Sequence, residues 1–143
     1  MHRQSGTGWE CRCPAAHAGS TARWRFRGKL LTMNAHTPEL LLDGPSAAPA
    51  TLVLAHGAGA PMDSEFMTVI ARGLAASGWR VVRFEFPYMA ERRATGKKRP
   101  PNPMPVLLET WRAVVTALGG PEGLVIGGKS LGGRVASLLA AEY

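Results

Sequence analysis

Cysteine is scarce in this 143-residue chain: there are two, Cys11 and Cys13, and both lie near the N-terminus. One Cys-x-Cys pair, without a second pair or a suitably spaced histidine, is a weak metal signal. We therefore predict no disulfide framework, no metal site and no other cofactor. Such sparse cysteine usage suits the reducing cytoplasm, which is the expected location.

Long apolar runs are also missing. The longest candidate is "GLVIGG" (123–128), far short of the roughly 20 residues that a membrane-spanning helix needs. The N-terminus lacks the apolar core of a secretory signal peptide, and we expect no membrane partner. A hydrophobic share of 45% and a charged share of 19% are ordinary for a globular chain, and the length suffices for one domain.

Acidic residues are rare at the start of the chain, where Glu10 stands among six basic residues. Residues 1–32 carry +5 of the net charge of +7, so the remainder is close to neutral. A nucleic-acid-binding domain concentrates positive charge on its folded surface, and we predict no nucleic-acid partner. Because residues 1–32 show no helical or strand periodicity, we interpret them as a disordered basic extension of the reading frame upstream of a natural start at Met33. The alternatives are a disordered tail that belongs to the protein and a targeting peptide. Residues 33–143 form the predicted domain.

Strand and helix patterns alternate along that domain. Continuous apolar runs predict strands at "TLVLA" (51–55), "WRVVRFEF" (79–86) and "GLVIGG" (123–128), and "ELLLD" (39–43) predicts a shorter one. Apolar stripes predict helices over 62–78, over 106–120 and after Ser130, and the first stripe consists of Phe66, Val69, Ile70 and Leu74. Such alternation predicts an α/β fold with parallel strands and helices on both faces of the sheet.

Basic residues cluster in the Pro-rich stretch 87–105, which we interpret as a surface connection. The cluster comprises Arg92, Arg93, Lys97, Lys98 and Arg99. Charge runs of this kind are usually solvated. Recognition of an anionic substrate or partner is the alternative.

The stretch "GLVIGGKSLGG" (123–133) matches two catalytic motifs. G-x-x-x-x-G-K-S fits a nucleotide-binding P-loop, and G-K-S-L-G fits the G-x-S-x-G nucleophile elbow. A P-loop needs residues 124–127 in a turning loop after a strand that ends near Gly123. Those residues are themselves the predicted strand, and the sequence therefore favours the elbow.

In an elbow, Ser130 is the nucleophile on a sharp turn between a strand and a helix. The residues two before and two after it must be small so that strand and helix can approach, and Gly128 and Gly132 occupy these positions. The N-terminus of the following helix directs its dipole at developing negative charge. A purely structural turn is the alternative.

A second Gly-rich loop, "HGAGAP" (56–61), follows the strand at 51–55. An oxyanion hole takes one backbone N–H from the residue after the nucleophile, here Leu131, and one from such a loop, for which we predict Ala58. Gly57 lets the backbone turn that N–H inward. We interpret His56 as an organiser of the loop and not as the general base.

With these motifs the chain resembles the α/β-hydrolase superfamily. The stretches "LVLAHGAGAPMDSEFM", "GWRVVRFEFPYMAERRATGKKRPPNP" and "LVIGGKSLGGRVAS" are similar to its small predicted-hydrolase branch, which is dienelactone-hydrolase-like and includes KANL/Tex-like domains. The resemblance covers about residue 39 to the C-terminus and implies the N-terminal half of the fold. Dienelactone hydrolases carry Cys as the nucleophile, and Ser130 implies the serine-type relatives. The implied activity is hydrolysis of an ester, thioester or lactone through an acyl-enzyme, with a small-molecule acyl substrate.

A histidine after the nucleophile is missing. Serine acyl transfer needs a base and an acid that orients it, and in this superfamily the order is Ser, Asp or Glu, then His. All four histidines precede Ser130, and Glu142 is the only acidic residue after it. We expect a chain that is truncated after the elbow and inactive as it stands. A non-catalytic interaction module with this fold is the alternative, since the resembled branch includes chromatin-complex scaffolds.

Overall fold

The computed structural model describes residues 23–26, 29–32 and 38–143, and the chain divides into two units, residues 1–34 and 35–143. In the first unit, β1 (Arg23–Phe26) pairs antiparallel with β2 (Lys29–Thr32). These strands differ from the expectation of a segment without strand character, although "RWRF" does alternate in the two-residue period of a strand. The rest of the predicted disordered extension, with both cysteines, lies outside the described residues.

The described part of the second unit, residues 38–143, contains four strands and four helices. The strands are β3 (Leu40–Asp43), β4 (Thr51–Ala55), β5 (Arg80–Phe84) and β6 (Leu124–Gly128), and the helices are α1 (Glu65–Ala76), α2 (Pro87–Thr95), α3 (Met104–Ala117) and α4 (Leu131–Ala140). The sheet order is β3-β5-β4-β6. Strand β4 is parallel to both β5 and β6, as predicted, whereas β3 runs antiparallel to β5.

Helices cover both faces of this sheet, which confirms the predicted layering. On β4, Val53 and Ala55 belong to a core cluster that includes Trp111 of α3 and Leu139 of α4. Leu54 belongs to the opposite cluster, with Met67 and Ala71 of α1. Successive side chains of β4 therefore point into two apolar layers, one on each face of the sheet. Each large side chain buried there contributes about 1.5–3 kcal/mol to the stability of the fold.

Helix α1 turns a face to the sheet that shares only Leu74 with the predicted stripe; Leu74 is partly buried against the cluster that contains Met67 and Ala71. Met67 and Ala71 are buried, while Phe66, Val69 and Ile70 are 50%, 63% and 41% exposed. The buried pair has the i, i+4 spacing of one helix face. The predicted stripe followed the spacing i, i+3, i+4 and i+8 from Phe66 and left out Met67 and Ala71, which pack in one cluster with Val81 of β5.

The Pro-rich connection contains a helix, so its interpretation as a surface connection is wrong for residues 87–95. Helix α2 begins at Pro87, a position where the missing N–H costs no helical hydrogen bond. It ends at Thr95, and the next residue, Gly96, has a φ of 71°, in the left-handed region that favours glycine. Its buried residues are Tyr88 and Met89.

Candidate active site

Two loops start side by side at the carboxyl end of the parallel strands. Ala55, the last residue of β4, is in register with Gly128, the last residue of β6. The N–H of Lys129 then donates to the carbonyl oxygen of Ala55 at 3.0 Å. Because residues 124–128 are strand, the turning loop that a P-loop requires is not formed by them.

Ser130 occupies a strained backbone position between β6 and α4. Its φ is 50° and its ψ −111°, and among the residues that the structure describes it is the one non-glycine residue with positive φ. A conformation of this kind costs about 1–3 kcal/mol and persists only where the surroundings impose it. The side chain is exposed and makes no capping hydrogen bond to α4.

The glycines around Ser130 have no room for a side chain. A Cβ on Gly128 would lie 2.5 Å from the carbonyl oxygen of Ala55, and a Cβ on Gly132 would lie at the same distance from that atom. A Cβ on Gly133 would lie 2.7 Å from the carbonyl oxygen of Gly128. These contacts are the close approach of strand and helix for which small residues were predicted at positions 128 and 132.

His56 is completely buried, and both of its ring nitrogens are engaged. Its Nε2 accepts a hydrogen bond from the N–H of Phe86 at 3.1 Å, so Nδ1 carries the proton and donates to the carbonyl oxygen of Gly57 at 2.6 Å. Burial holds the pKa of His56 below its ordinary value, although the hydrogen bond to Gly57 and the charge of Glu85 oppose this. The ring is therefore neutral near pH 7, and both of its nitrogens are occupied by backbone groups; the role of His56 as a loop organiser stays a prediction.

Helix α2 supplies two further side chains that contact the same loop. The hydroxyl of Tyr88 lies 3.3 Å from the carbonyl oxygen of Gly57 and 3.2 Å from that of Ala58. Arg92 donates from Nη1 to the carbonyl oxygen of Gly59 at 3.2 Å. Sequence reasoning missed Tyr88, and the available signal was its i, i+4 spacing to Arg92, which has meaning only on a helix.

Comparison with known families agrees with this geometry. The family model described as "Alpha/beta hydrolase domain" matches residues 48–143, more than half of the chain. The chain belongs to the α/β-hydrolase family. No curated protein matches it in a sequence search.

One solved structure similar to this chain is Est1E from Butyrivibrio proteoclasticus, with 16% sequence identity and a TM-score of 0.58. The likeness covers 85% of this chain and 45% of that chain, so this member of the α/β-hydrolase family spans less than half the length of Est1E. At this identity the comparison shows the fold, which agrees with the predicted α/β-hydrolase architecture.

Most of the basic cluster in this hydrolase domain is engaged with other residues. Arg93 contacts the buried carboxylate of Glu85 at 2.7 Å and that of Asp63 at 2.8 Å. These hydrogen bonds raise the pKa of Arg93 and lower the pKa of Asp63. Arg99 pairs with Glu91 at 2.7 Å. With Arg92 bound to the loop, three of the five basic residues of the cluster tie α2 to its neighbours, and Lys97 and Lys98 are exposed.

Lys129, the variable residue before Ser130 in the motif, lies over an aromatic ring of α1. Its Nζ is 4.4 Å from the centroid of Phe66, a cation–π contact worth about 0.5–1 kcal/mol at an exposed site. Its side-chain carbons lie beside Gly57, where a Cβ would meet them within 4 Å. Lys129 thus spans from the elbow to α1 across the loop that follows β4.

The predicted oxyanion donors are the N–H groups of Ala58, in the loop that follows β4, and of Leu131, the first residue of α4. Within the described residues neither N–H donates to a backbone carbonyl in a turn, loop or cap. In residues 38–143 no group of three or more His, Cys, Asp or Glu side chains could hold a metal ion. No helix of the described part is long and apolar enough to cross a membrane.

Proposed function

We propose that the chain is the nucleophile-bearing part of a serine hydrolase that cleaves an ester, thioester or lactone through an acyl-enzyme. The observation that carries this proposal is the strained backbone of Ser130 on the turn between β6 and α4. Strain of this kind clusters at active sites, and a merely structural turn at that position would be less strained with glycine. The family membership supports hydrolysis of a small-molecule substrate.

In the proposed reaction the Oγ of Ser130 attacks the carbonyl carbon of the substrate and loses its proton to a base. The N–H groups of Leu131 and Ala58 donate to the oxyanion, and the N-terminal end of α4 adds its dipole. Collapse of the tetrahedral intermediate expels the alcohol or thiol, which takes the proton from the base, and leaves an ester on Ser130; with a lactone the alcohol stays tethered to the acyl group. Water then attacks that ester and gives a proton to the base, and the acid product leaves as the base returns this proton to Oγ.

The base does not come from the described histidine. Both nitrogens of His56 are engaged, and no histidine follows Ser130 in this chain. We therefore propose that the 143-residue chain by itself turns over no substrate, and that an external base can replace the missing one. The serine-type members of the dienelactone-hydrolase-like branch remain the predicted relatives.

The test is chemical rescue of Ser130. The purified chain is incubated with a fluorophosphonate at increasing concentrations of 2-methylimidazole, and labelling of each serine is quantified by peptide mass spectrometry. Ser137, which is exposed on α4 and donates to the carbonyl oxygen of Arg134, is the internal reference. We expect Ser130 to react about tenfold faster than Ser137 or more, because it alone has oxyanion donors, and to respond to the added base.

Each part of the proposal has an outcome that contradicts it. Equal labelling of Ser130 and Ser137 at every base concentration refutes the nucleophile and favours the non-catalytic interaction module. Rapid labelling of Ser130 without added base refutes the inactivity of the chain. A Ser130→Ala variant controls for misassigned peptides, since it must lose the base-dependent label.

A further inference from the structure

We propose that Tyr88 and Arg92 are positioning residues for the oxyanion loop, which we define as residues 57–59; this rests on the proposed function. Each carbonyl of that loop accepts a hydrogen bond from a side chain outside it. The donors are Nδ1 of His56 for Gly57 and Nη1 of Arg92 for Gly59, and the single proton of the Tyr88 hydroxyl is shared between the carbonyl oxygens of Gly57 at 3.3 Å and Ala58 at 3.2 Å. The loop conformation is therefore imposed from α2 as well as from its own sequence.

Because each peptide group is planar, a hydrogen bond that fixes the direction of a carbonyl also fixes the direction of the N–H in the same peptide. The carbonyl of Gly57 and the N–H of Ala58 belong to one planar trans peptide, so they point in opposite directions. Holding the Gly57 carbonyl towards His56 and Tyr88 turns the Ala58 N–H away from them. The same argument fixes the N–H groups of Gly59 and Ala60 through the next two carbonyls.

The loop would not hold this orientation by itself. Glycines flank Ala58 on both sides, and glycine reaches many backbone conformations at little cost. Without outside donors the peptide that joins Gly57 to Ala58 can rotate and move its N–H out of place. An oxyanion hole accelerates a reaction because its donors are already aligned before charge develops.

Tyr88 is itself well fixed. Its ring is buried and packs edge-to-face on His56, with centroids 5.8 Å apart, and stacks on Phe86 at 6.5 Å. Its N–H donates to Oδ1 of Asn102 at 2.8 Å, which ties the start of α2 to the segment before α3. Burial raises the pKa of its phenol, so the hydroxyl remains a donor at neutral pH.

Arg92 follows Tyr88 by four residues and therefore lies on the same face of α2. Its contact with Gly59 extends the row of donors by one residue along the loop. The spacing explains how one short helix can hold two successive parts of the loop. Arg92, one residue of the basic cluster, thus has an intramolecular role as a donor to the oxyanion loop.

The experiment compares Tyr88→Phe with Tyr143→Phe, which removes the chain's other phenol from an exposed position. The rate of base-assisted labelling at Ser130 is measured for each, together with the amide signals of residues 58–60 in ¹H–¹⁵N spectra. We expect Tyr88→Phe to lower the rate about tenfold and to shift or broaden those signals. Tyr143→Phe should change neither.

Arg92→Met provides a second variant, with Arg99→Met as its matched control and Arg92→Lys as the conservative substitution. We expect Arg92→Met to lower the labelling rate and Arg92→Lys to restore part of it, because the lysine can still donate to Gly59. If Tyr88→Phe fails to fold, as loss of spectral dispersion would reveal, the arginine series alone decides the proposal.

The possible failures are distinguishable. Equal labelling of Ser130 and Ser137 in the unsubstituted chain refutes the proposed function, while unchanged amide signals in the variants refute the positioning. Normal preferential labelling that survives Tyr88→Phe and Arg92→Met overturns the inference and leaves the proposed function standing.

Discussion

At the scale of single residues, Ser130 combines a side chain with a backbone conformation that suits glycine. Its φ of 50° and ψ of −111° follow from the contact between the end of β6 and the start of α4. The unfolded chain has no such constraint. Serine at this position therefore lowers the stability of the folded state.

We predict that Ser130→Gly raises the free energy of unfolding by about 1 kcal/mol, the relief of strain minus the entropy cost of glycine. Urea denaturation followed by circular dichroism measures this change. Ser137→Gly in the middle of α4 is the matched control, and it should lower stability by about 0.5 kcal/mol because glycine is a poor helix former. Loss of stability in both variants would contradict the strain at Ser130.

The glycine positions of the nucleophile elbow could be predicted from the sequence because the motif requires small residues at a fixed spacing from Ser130. Gly128 and Gly132 must be small wherever a strand, a sharp turn and a helix follow in this order, and the structure has no space for a Cβ at either. Tyr88 could not be found in the same way. Its hydroxyl reaches the loop after β4 because β4 and β5 are neighbours in the sheet, and no local pattern encodes that neighbourhood.

At the scale of elements, α2 is held in place by charge as well as by apolar packing. Glu85 is buried at the end of β5 and accepts from Arg93 at 2.7 and 3.0 Å and from the N–H of Met62 at 3.3 Å. Arg93 also reaches Asp63, before α1. One guanidinium thus joins α2 to both the strand before it and the loop that leads into α1.

We predict that Arg93→Met lowers the free energy of unfolding by about 2 kcal/mol. Removing one partner of a buried pair costs about 3–5 kcal/mol, and the partial exposure of Arg93 reduces that value. Arg99→Met breaks the exposed pair with Glu91 and should change stability by less than about 0.5 kcal/mol. The double variant with Glu85→Gln should recover part of the loss, because no buried charge is then left unpaired. Equal effects of Arg93→Met and Arg99→Met in urea denaturation would show that the buried pair has no special role.

The element predictions failed where tertiary contacts outweigh local pattern. Helix α2 lacks a convincing apolar stripe and lies in a stretch rich in proline and basic residues, and Tyr88, Met89 and Arg93 stabilise it through contacts with distant segments. Three residues of the stripe predicted for α1, Phe66, Val69 and Ile70, are exposed, and only its fourth residue, Leu74, packs against the core. By contrast, the β4 and β6 strands were predictable from their continuous apolar runs alone.

At the scale of the whole molecule, the described sheet ends at strand β6, whose outer edge can pair with another chain. Strand β6 pairs with β4 on one side, and within the described residues nothing pairs with its other side. Val125 on this strand is 44% exposed. An apolar edge strand with unpaired N–H and C=O groups is a site for pairing with another chain.

We predict that the purified 143-residue chain self-associates and that Val125→Lys suppresses this, since a lysine on an edge strand opposes edge-to-edge pairing. Leu138→Lys is the matched control, because Leu138 is also 44% exposed but lies on α4, away from the strand edge. Both variants gain the same charge, so any effect of net charge on solubility is shared between them. Sedimentation velocity over a concentration series should show a smaller average mass for Val125→Lys than for Leu138→Lys. Equal masses for the two variants, or a monomeric unsubstituted chain throughout the series, would mean that the β6 edge does not drive association.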